Sequence, residues 1–229
     1  MPVATRYNGF GSRPTTMPMH GVSRCSAAIR AFVLLLSLAA LPAAAQFAPP
    51  VTTTVQDRAA LRPPVGSRVA IIEFLDLQCP DCAHAAPEVL AASIRHQIPL
   101  VRHDFPLPFH SWSFQAAVNA RWFDTQSRAL GDQYRDYIFA HQKEITAPDR
   151  LLPVTQAFAA SHKLTFPATP DAAGNLAALV KADYALGQKI GVEHTPTIWV
   201  VTAGTRSAPF IEVLDSDRLD QLIDEAEKQ

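Results

Sequence analysis

Cysteine is scarce in this chain: its 229 residues hold three, and one of these, Cys25, lies in a basic and apolar leader. A zinc site would therefore need two histidines brought together, and His84, His96, His103, His110, His141 and His162 show no metal-ligand spacing. His110 reads as a helix-start residue and the others as surface or satisfied core. There is no basic stripe and no interleaving of aromatic with basic residues, which argues against a nucleic-acid partner. No apolar run is long enough to span a bilayer. Internal repeats and nucleotide, flavin or haem signatures are absent as well.

The first 45 residues contain Arg6, Arg13, Arg24 and Arg30 and no acidic residue, followed by the apolar stretch Ala31 to Leu41. This pattern reads as a secretory signal peptide, with Ala43, Ala44 and Ala45 as the small-residue cleavage site and Gln46 as the mature N-terminus. Met17 and Met19 are alternative starts. The apolar core is about half the roughly 20 residues of a membrane-spanning helix, so cleavage is expected rather than anchoring. Removing the leader moves the formal charge from -1 to -5 and leaves 184 residues with two cysteines, a size that suits one domain. The mature chain is expected to be soluble, monomeric, and secreted or periplasmic.

Residues 46–67 are rich in Pro and Thr and read as an extended leader; the domain is expected over 68–229. Four β signals stand out: Val69 to Leu77, Ile98 to Phe105, Thr197 to Val201 and Phe210 to Leu214. A helix beginning near Cys79 separates the first two, which makes a βαβ unit with a parallel pair. A turn-rich link, Thr202 to Ala208, joins the last two as an antiparallel hairpin. A final helix over Ser216 to Lys228 has Ser216 as its expected cap. The sequence between the second and third strands, about 108–190, shows helical periodicity alone, with helices expected near 110–125, 127–143, 148–162 and 174–190. Trp112, Phe114, Trp122, Phe123, Tyr134, Tyr137, Phe139, Phe158 and Tyr184 are expected to fill the core of this helical layer.

The chemistry concentrates at Cys79-Pro80-Asp81-Cys82. Two thiols separated by two residues close a small, easily reversed disulfide, here where a buried strand turns into a helix. Unpaired N–H groups and the positive end of the helix dipole favour a thiolate at Cys79. So short a ring would staple little chain, and in an oxidising compartment an isolated pair points to redox work. Pro80 at the first helical position forfeits no hydrogen bond. Glu73, six residues before Cys79 in an otherwise apolar strand, is costly if buried unpaired; facing solvent or a lysine is the alternative. Pro87 is expected to bend the helix that follows the dithiol.

A βαβ unit carrying Cys-x-x-Cys, followed by a ββα unit that opens on Thr195-Pro196, resembles the thioredoxin fold, an α/β architecture. The helical insertion makes it similar to the DsbA-like branch of exported thiol-disulfide oxidoreductases. Glu73-Phe74-Leu75-Asp76, Pro106 to His110 and Gly191 to Thr197 add to this resemblance, which covers roughly residues 60–229. It implies that Cys79 is the exposed, acidic sulfur that forms mixed disulfides and that Cys82 is the shielded resolving thiol. It further implies that Glu73 carries a proton to or from Cys82, and that Thr195 and Pro196 form a cis-proline loop whose backbone pairs with an extended substrate.

Two positions depart from that pattern. Asp81 stands where strongly oxidising relatives often have His, and a carboxylate there should raise the Cys79 pKa. His194 stands where relatives often have Gly; it either lies near enough to Cys79 to restore some stabilisation or is a solvated loop histidine. The implied function is disulfide exchange with unfolded or extended proteins, the oxidising direction favoured, with a membrane redox partner for recycling and no cofactor beyond the Cys79–Cys82 disulfide. The alternative is a peptide-binding or partner-binding module with an idle dithiol.

Overall fold

The computed structural model of the chain describes residues 52–53, 61–204, 210–213, 215 and 218–228. The expected signal peptide, most of the extended leader and the Ser216 cap lie outside the described residues. The described residues form five strands: β1 (Thr52–Thr53), β2 (Val69–Leu75), β3 (Leu100–Asp104), β4 (Thr197–Thr202) and β5 (Phe210–Ile211). The helices are α1 (Pro80–His96), α2 (Ser113–Gln126), α3 (Arg128–His141), α4 (Pro148–Ser161), α5 (Asn175–Ile190) and α6 (Leu219–Glu227), with a 3₁₀ turn over Gln142–Glu144. No helix among the described residues is long and apolar enough to cross a membrane.

β2 is the central strand, parallel to β3 on one side and antiparallel to β4 on the other. All seven of its residues are buried, as its near-continuous apolar sequence requires. Alternation sends Ala70, Ile72 and Phe74 into a cluster with Phe105, Ile190, Trp199 and Val201. Ile71 points the other way, to Ala85, Val89 and Ala92 of α1 and Leu219 and Ile223 of α6. Beyond β4, Glu212 bridges to Trp199, and β5 pairs antiparallel with β1. Leu61 departs from the expectation of a leader wholly outside the core: it is 1% exposed and completes the cluster around Phe74.

The inserted helices form where the periodicity places them, within a few residues at each end. Ser127 starts α3 by accepting the Leu130 N–H on its hydroxyl at 3.1 Å. Phe123 centres the layer, stacked on Tyr134 at 4.6 Å and meeting Phe158 edge-on at 5.0 Å. Phe114 is a correction: it stands 39% exposed, turned out of the layer its neighbours fill. The layer is fastened to the sheet by charge. Asp104, the last residue of β3, accepts from Arg135 Nε at 3.1 Å and from its Nη2 at 3.0 Å, and Arg121 Nε sits 2.7 Å from Asp104 Oδ2. Burial alone would raise the Asp104 carboxyl, but the Arg135 and Arg121 guanidiniums outweigh it and hold the group below its usual range.

Candidate active site

β2 ends at Leu75, and the chain crosses four residues before α1 begins at Pro80, so the dithiol sits at the C-terminal end of the central strand. Cys79 is the N-cap residue, in extended conformation, and Pro80 occupies the first turn, where its missing N–H costs no bond. Cys79 and Cys82 are free thiols. Cys82 is fully buried and Cys79 retains 5% exposure. The expectation of an exposed Cys79 is thereby corrected: the loop that opens β4 lies across it, with the Cys79 thiol donating to the Thr195 carbonyl at 3.3 Å. The Thr195–Pro196 peptide bond is cis, and Thr197 Oγ1 donates to the His194 carbonyl at 2.7 Å.

The two sulfurs are driven apart in acidity. Cys79 is pulled down from 9.0 to about 6, first by the Cys82 thiol donating to it, with burial opposing. The Thr195 side chain and the backbone N–H groups of Cys82 and Asp81 assist. Cys82 is pushed well above its ordinary value by burial, by its bond to Cys79 and by the charges of Cys79 and Glu73, although it accepts the Asp76 backbone N–H at 3.4 Å. The Asp81 side chain faces solvent, which screens it, while the Asp81 N–H serves the Cys79 sulfur. His194 is more than half exposed, and its Nε2 lies 2.9 Å from Glu212 Oε1. The leading influences on Cys79 do not include it.

Glu73 is fully buried and faces neither solvent nor a lysine. The parallel register sets Glu73 opposite Arg102 on β3, so both side chains share one sheet face, and Arg102 Nε donates to Glu73 Oε2 at 3.3 Å. Burial still raises the Glu73 carboxyl despite the guanidinium beside it.

Other side chains brace the turn. Asp76, 1% exposed, accepts from the backbone N–H groups of Gln78 and Leu107 at 2.7 and 2.6 Å and from Ser113 Oγ at 2.5 Å, and pairs with His110 Nδ1 at 2.8 Å. Gln142, in the 3₁₀ turn of the helical layer, donates its amide to the carbonyls of Leu77 at 2.8 Å and Cys79 at 3.0 Å. Sequence reasoning singled out neither Arg102 nor Gln142, and it met Asp76 only within the motif Glu73-Phe74-Leu75-Asp76. An Arg inside a strand opposite a buried Glu is the one signal that could have found Arg102, and it needs the strand register to be read.

Among the described residues, His96, Asp224 and Glu227 bring potential metal-ligand atoms within 4.8 Å of one another. They sit at the far end of α1, about 25 Å along the helix from Cys79. Asp220 holds His96 Nε2 at 2.9 Å and Arg95 Nη2 at 2.7 Å, the bonding of a surface ion-pair cluster.

A thioredoxin family model matches residues 66–225. No curated protein sequence matches the chain. Among solved structures, alpha-DsbA1 from Wolbachia pipientis is similar with a TM-score of 0.59 at 16% identity, covering 75% of this chain and 98% of that one. DsbA2 from Pseudomonas aeruginosa gives 0.53 at 19% identity, covering 80% and 98%. A thioredoxin-like oxidoreductase from Silicibacter pomeroyi gives 0.53 at 22% identity, covering 70% and 87%.

Proposed function

The chain belongs to the thioredoxin family and takes the DsbA-like form of its fold, and from that premise we propose that it is an exported protein thiol-disulfide oxidoreductase that donates disulfides. One observation carries the reading: Cys79 stands at the start of α1 against the Thr195 carbonyl with Cys82 fully buried behind it, an arrangement that lowers the Cys79 pKa and raises that of Cys82. A stable thiolate at Cys79 stabilises the reduced state and so makes the disulfide more oxidising.

In the donating direction, a substrate thiolate attacks Cys79 Sγ and the Cys79–Cys82 bond breaks. Cys82 leaves as a thiolate and takes a proton from protonated Glu73. A second substrate thiolate then attacks the substrate sulfur of the mixed disulfide and expels Cys79 as its stable thiolate. Two substrate thiols become one disulfide, and the two electrons stay on the chain as a dithiol. Ionised Cys79 no longer donates to Thr195, so that carbonyl becomes free to accept a backbone N–H of an extended substrate beside Pro196. The electrons then pass to a membrane redox partner, and no further cofactor is needed.

The basic leader with its apolar stretch and alanine-rich cleavage site supports export and a periplasmic or secreted destination. The test is disulfide transfer to a reduced, unfolded protein that needs disulfides for activity. The oxidised chain should transfer one disulfide per molecule and Cys79→Ser none. Failure of the oxidised wild-type protein to transfer would overturn the proposal.

A further inference from the structure

The Arg102 side chain is 1% exposed and lies between two carboxylates on different elements, Glu73 on β2 and Asp136 on α3 of the helical layer. The contacts differ in kind: Arg102 Nη2 lies 2.7 Å from Asp136 Oδ1 as an ion pair without hydrogen-bond geometry, whereas its Nε donates a hydrogen bond to Glu73 Oε2 at 3.3 Å. Arg102 Nη1 donates to the Asp132 carbonyl oxygen at 3.4 Å, so α3 also holds the guanidinium from its backbone. The other Glu73 oxygen, Oε1, is buried without a hydrogen-bond partner among the described residues. Asp136 is 30% exposed at its side chain, so its charge costs less desolvation than that of Glu73, which is fully buried.

We propose that Asp136 is a positioning residue for the thiol chemistry: by sharing the Arg102 cation from α3, it leaves Glu73 under-neutralised and therefore basic enough to accept the proton of Cys82. The inference rests on the reading that Glu73 exchanges a proton with Cys82. The step it governs is resolution of a mixed disulfide. Cys82 Sγ attacks Cys79 Sγ, the Cys79–Cys82 bond forms, and the bond from Cys79 to the substrate sulfur breaks. That sulfur leaves as a thiolate, and the Cys82 proton passes to Glu73. The charged and titratable groups that bear on Glu73 and Cys82 are Arg102 on β3, Asp132 and Asp136 on α3, and Cys79 at the start of α1. Asp136 in turn meets Arg102, Asp132 and Arg135. Burial and the neighbouring Asp132 raise the Asp136 carboxyl, and Arg102 opposes them.

The experiment uses the Cys79–glutathione mixed disulfide and follows glutathione release by Cys82 against pH in wild-type protein, Asp136→Asn, Glu73→Gln and the double variant. In Asp136→Asn, Arg102 serves Glu73 alone, and the Glu73 inflection should move down by about one pH unit, a tenfold loss of basicity. Glu73→Gln should remove that inflection, and the double variant should match Glu73→Gln. Asp136→Ser gives the same readout without an amide, and Asp136→Glu should restore the wild-type profile. If Glu73→Gln alters the profile while Asp136→Asn and Asp136→Ser superimpose on wild type, the role of Asp136 is refuted and that of Glu73 stands. A shift from Asp136→Asn that persists in the Glu73→Gln background refutes it too, because Asp136 would then act by another route. A Glu73→Gln profile identical to wild type removes the Glu73 reading and this inference with it.

Discussion

Acidifying the reduced protein from pH 7 to pH 5 should remove about 1.4 kcal/mol of stability contributed by Cys79 alone. The folded thiol titrates at about 6 against a reference of 9.0. A pKa depressed on folding gives stabilisation that is complete above the unfolded value and disappears as pH falls through the folded one. At pH 7 the folded sulfur holds about ten thiolates for each thiol, and the unfolded sulfur about one in a hundred. The ratio of their titration terms is about 11, and RT ln 11 is about 1.4 kcal/mol; at pH 5 it is near zero. Cys82 adds nothing in this window, because a thiol pushed up from 9.0 is protonated in both states. Glu73 and Asp136, both raised, give the opposite slope: their contribution is present at low pH and lost as pH rises. Comparison with Cys79→Ser cancels them. Urea denaturation of reduced wild-type protein and Cys79→Ser at pH 7 and pH 5 should show the stability difference between the two proteins shrinking by about 1.4 kcal/mol. A difference unchanged between the two pH values would refute the thiolate argument. The same ionisation should lift the potential of the disulfide by about 30 mV at pH 7.

Three further outcomes follow from the packing. Arg102→Met leaves Glu73 and Asp136 without their shared cation and should cost about 3–5 kcal/mol in urea denaturation at pH 7; a cost below about 1 kcal/mol contradicts the pairing. Gly187→Ala would set a methyl carbon 2.6 Å from Phe105 Cδ2 and Cε2 and 3.1 Å from Phe74 Cδ1. It should cost about 1–3 kcal/mol in thermal melts, and an unaltered melting temperature would mean that α5 does not pack so closely on the sheet. Gln142→Ala removes both bonds from the helical layer to the dithiol turn and should cost about 1–2 kcal/mol. It should also raise the Cys79 pKa, read from thiolate absorbance near 240 nm; a titration identical to wild type would show that the amide does not hold the turn.

What could be read in advance was local in the chain. The dithiol lies within one turn, Pro80 within the same turn, and β2 and the inserted helices announce themselves by apolar runs and periodicity. What escaped depends on partners far along the chain. β1 is two residues long and is defined only by pairing with Phe210–Ile211. Arg102 acquires meaning only from the register that sets it opposite Glu73, and Asp136 only from the docking of α3 on that edge. Gln142 reaches a turn more than sixty residues away, which no spacing rule encodes. His194 meets the carboxylate of Glu212, carried there by the bridge between Trp199 and Glu212, a partner that its place beside Thr195 does not announce. Phe114 shows the limit of periodicity in a layer with two faces: an aromatic at helical spacing can sit on the solvent side.

The most direct test of disulfide donation is the reduction potential of Cys79–Cys82, measured by equilibration in glutathione buffers at pH 7. The stabilised Cys79 thiolate predicts a value of about -240 mV or less negative, toward the disulfide donors that lie near about -120 mV. A value of about -270 mV or more negative would assign the chain to reduction, and a pair that does not equilibrate with glutathione would contradict the redox account itself.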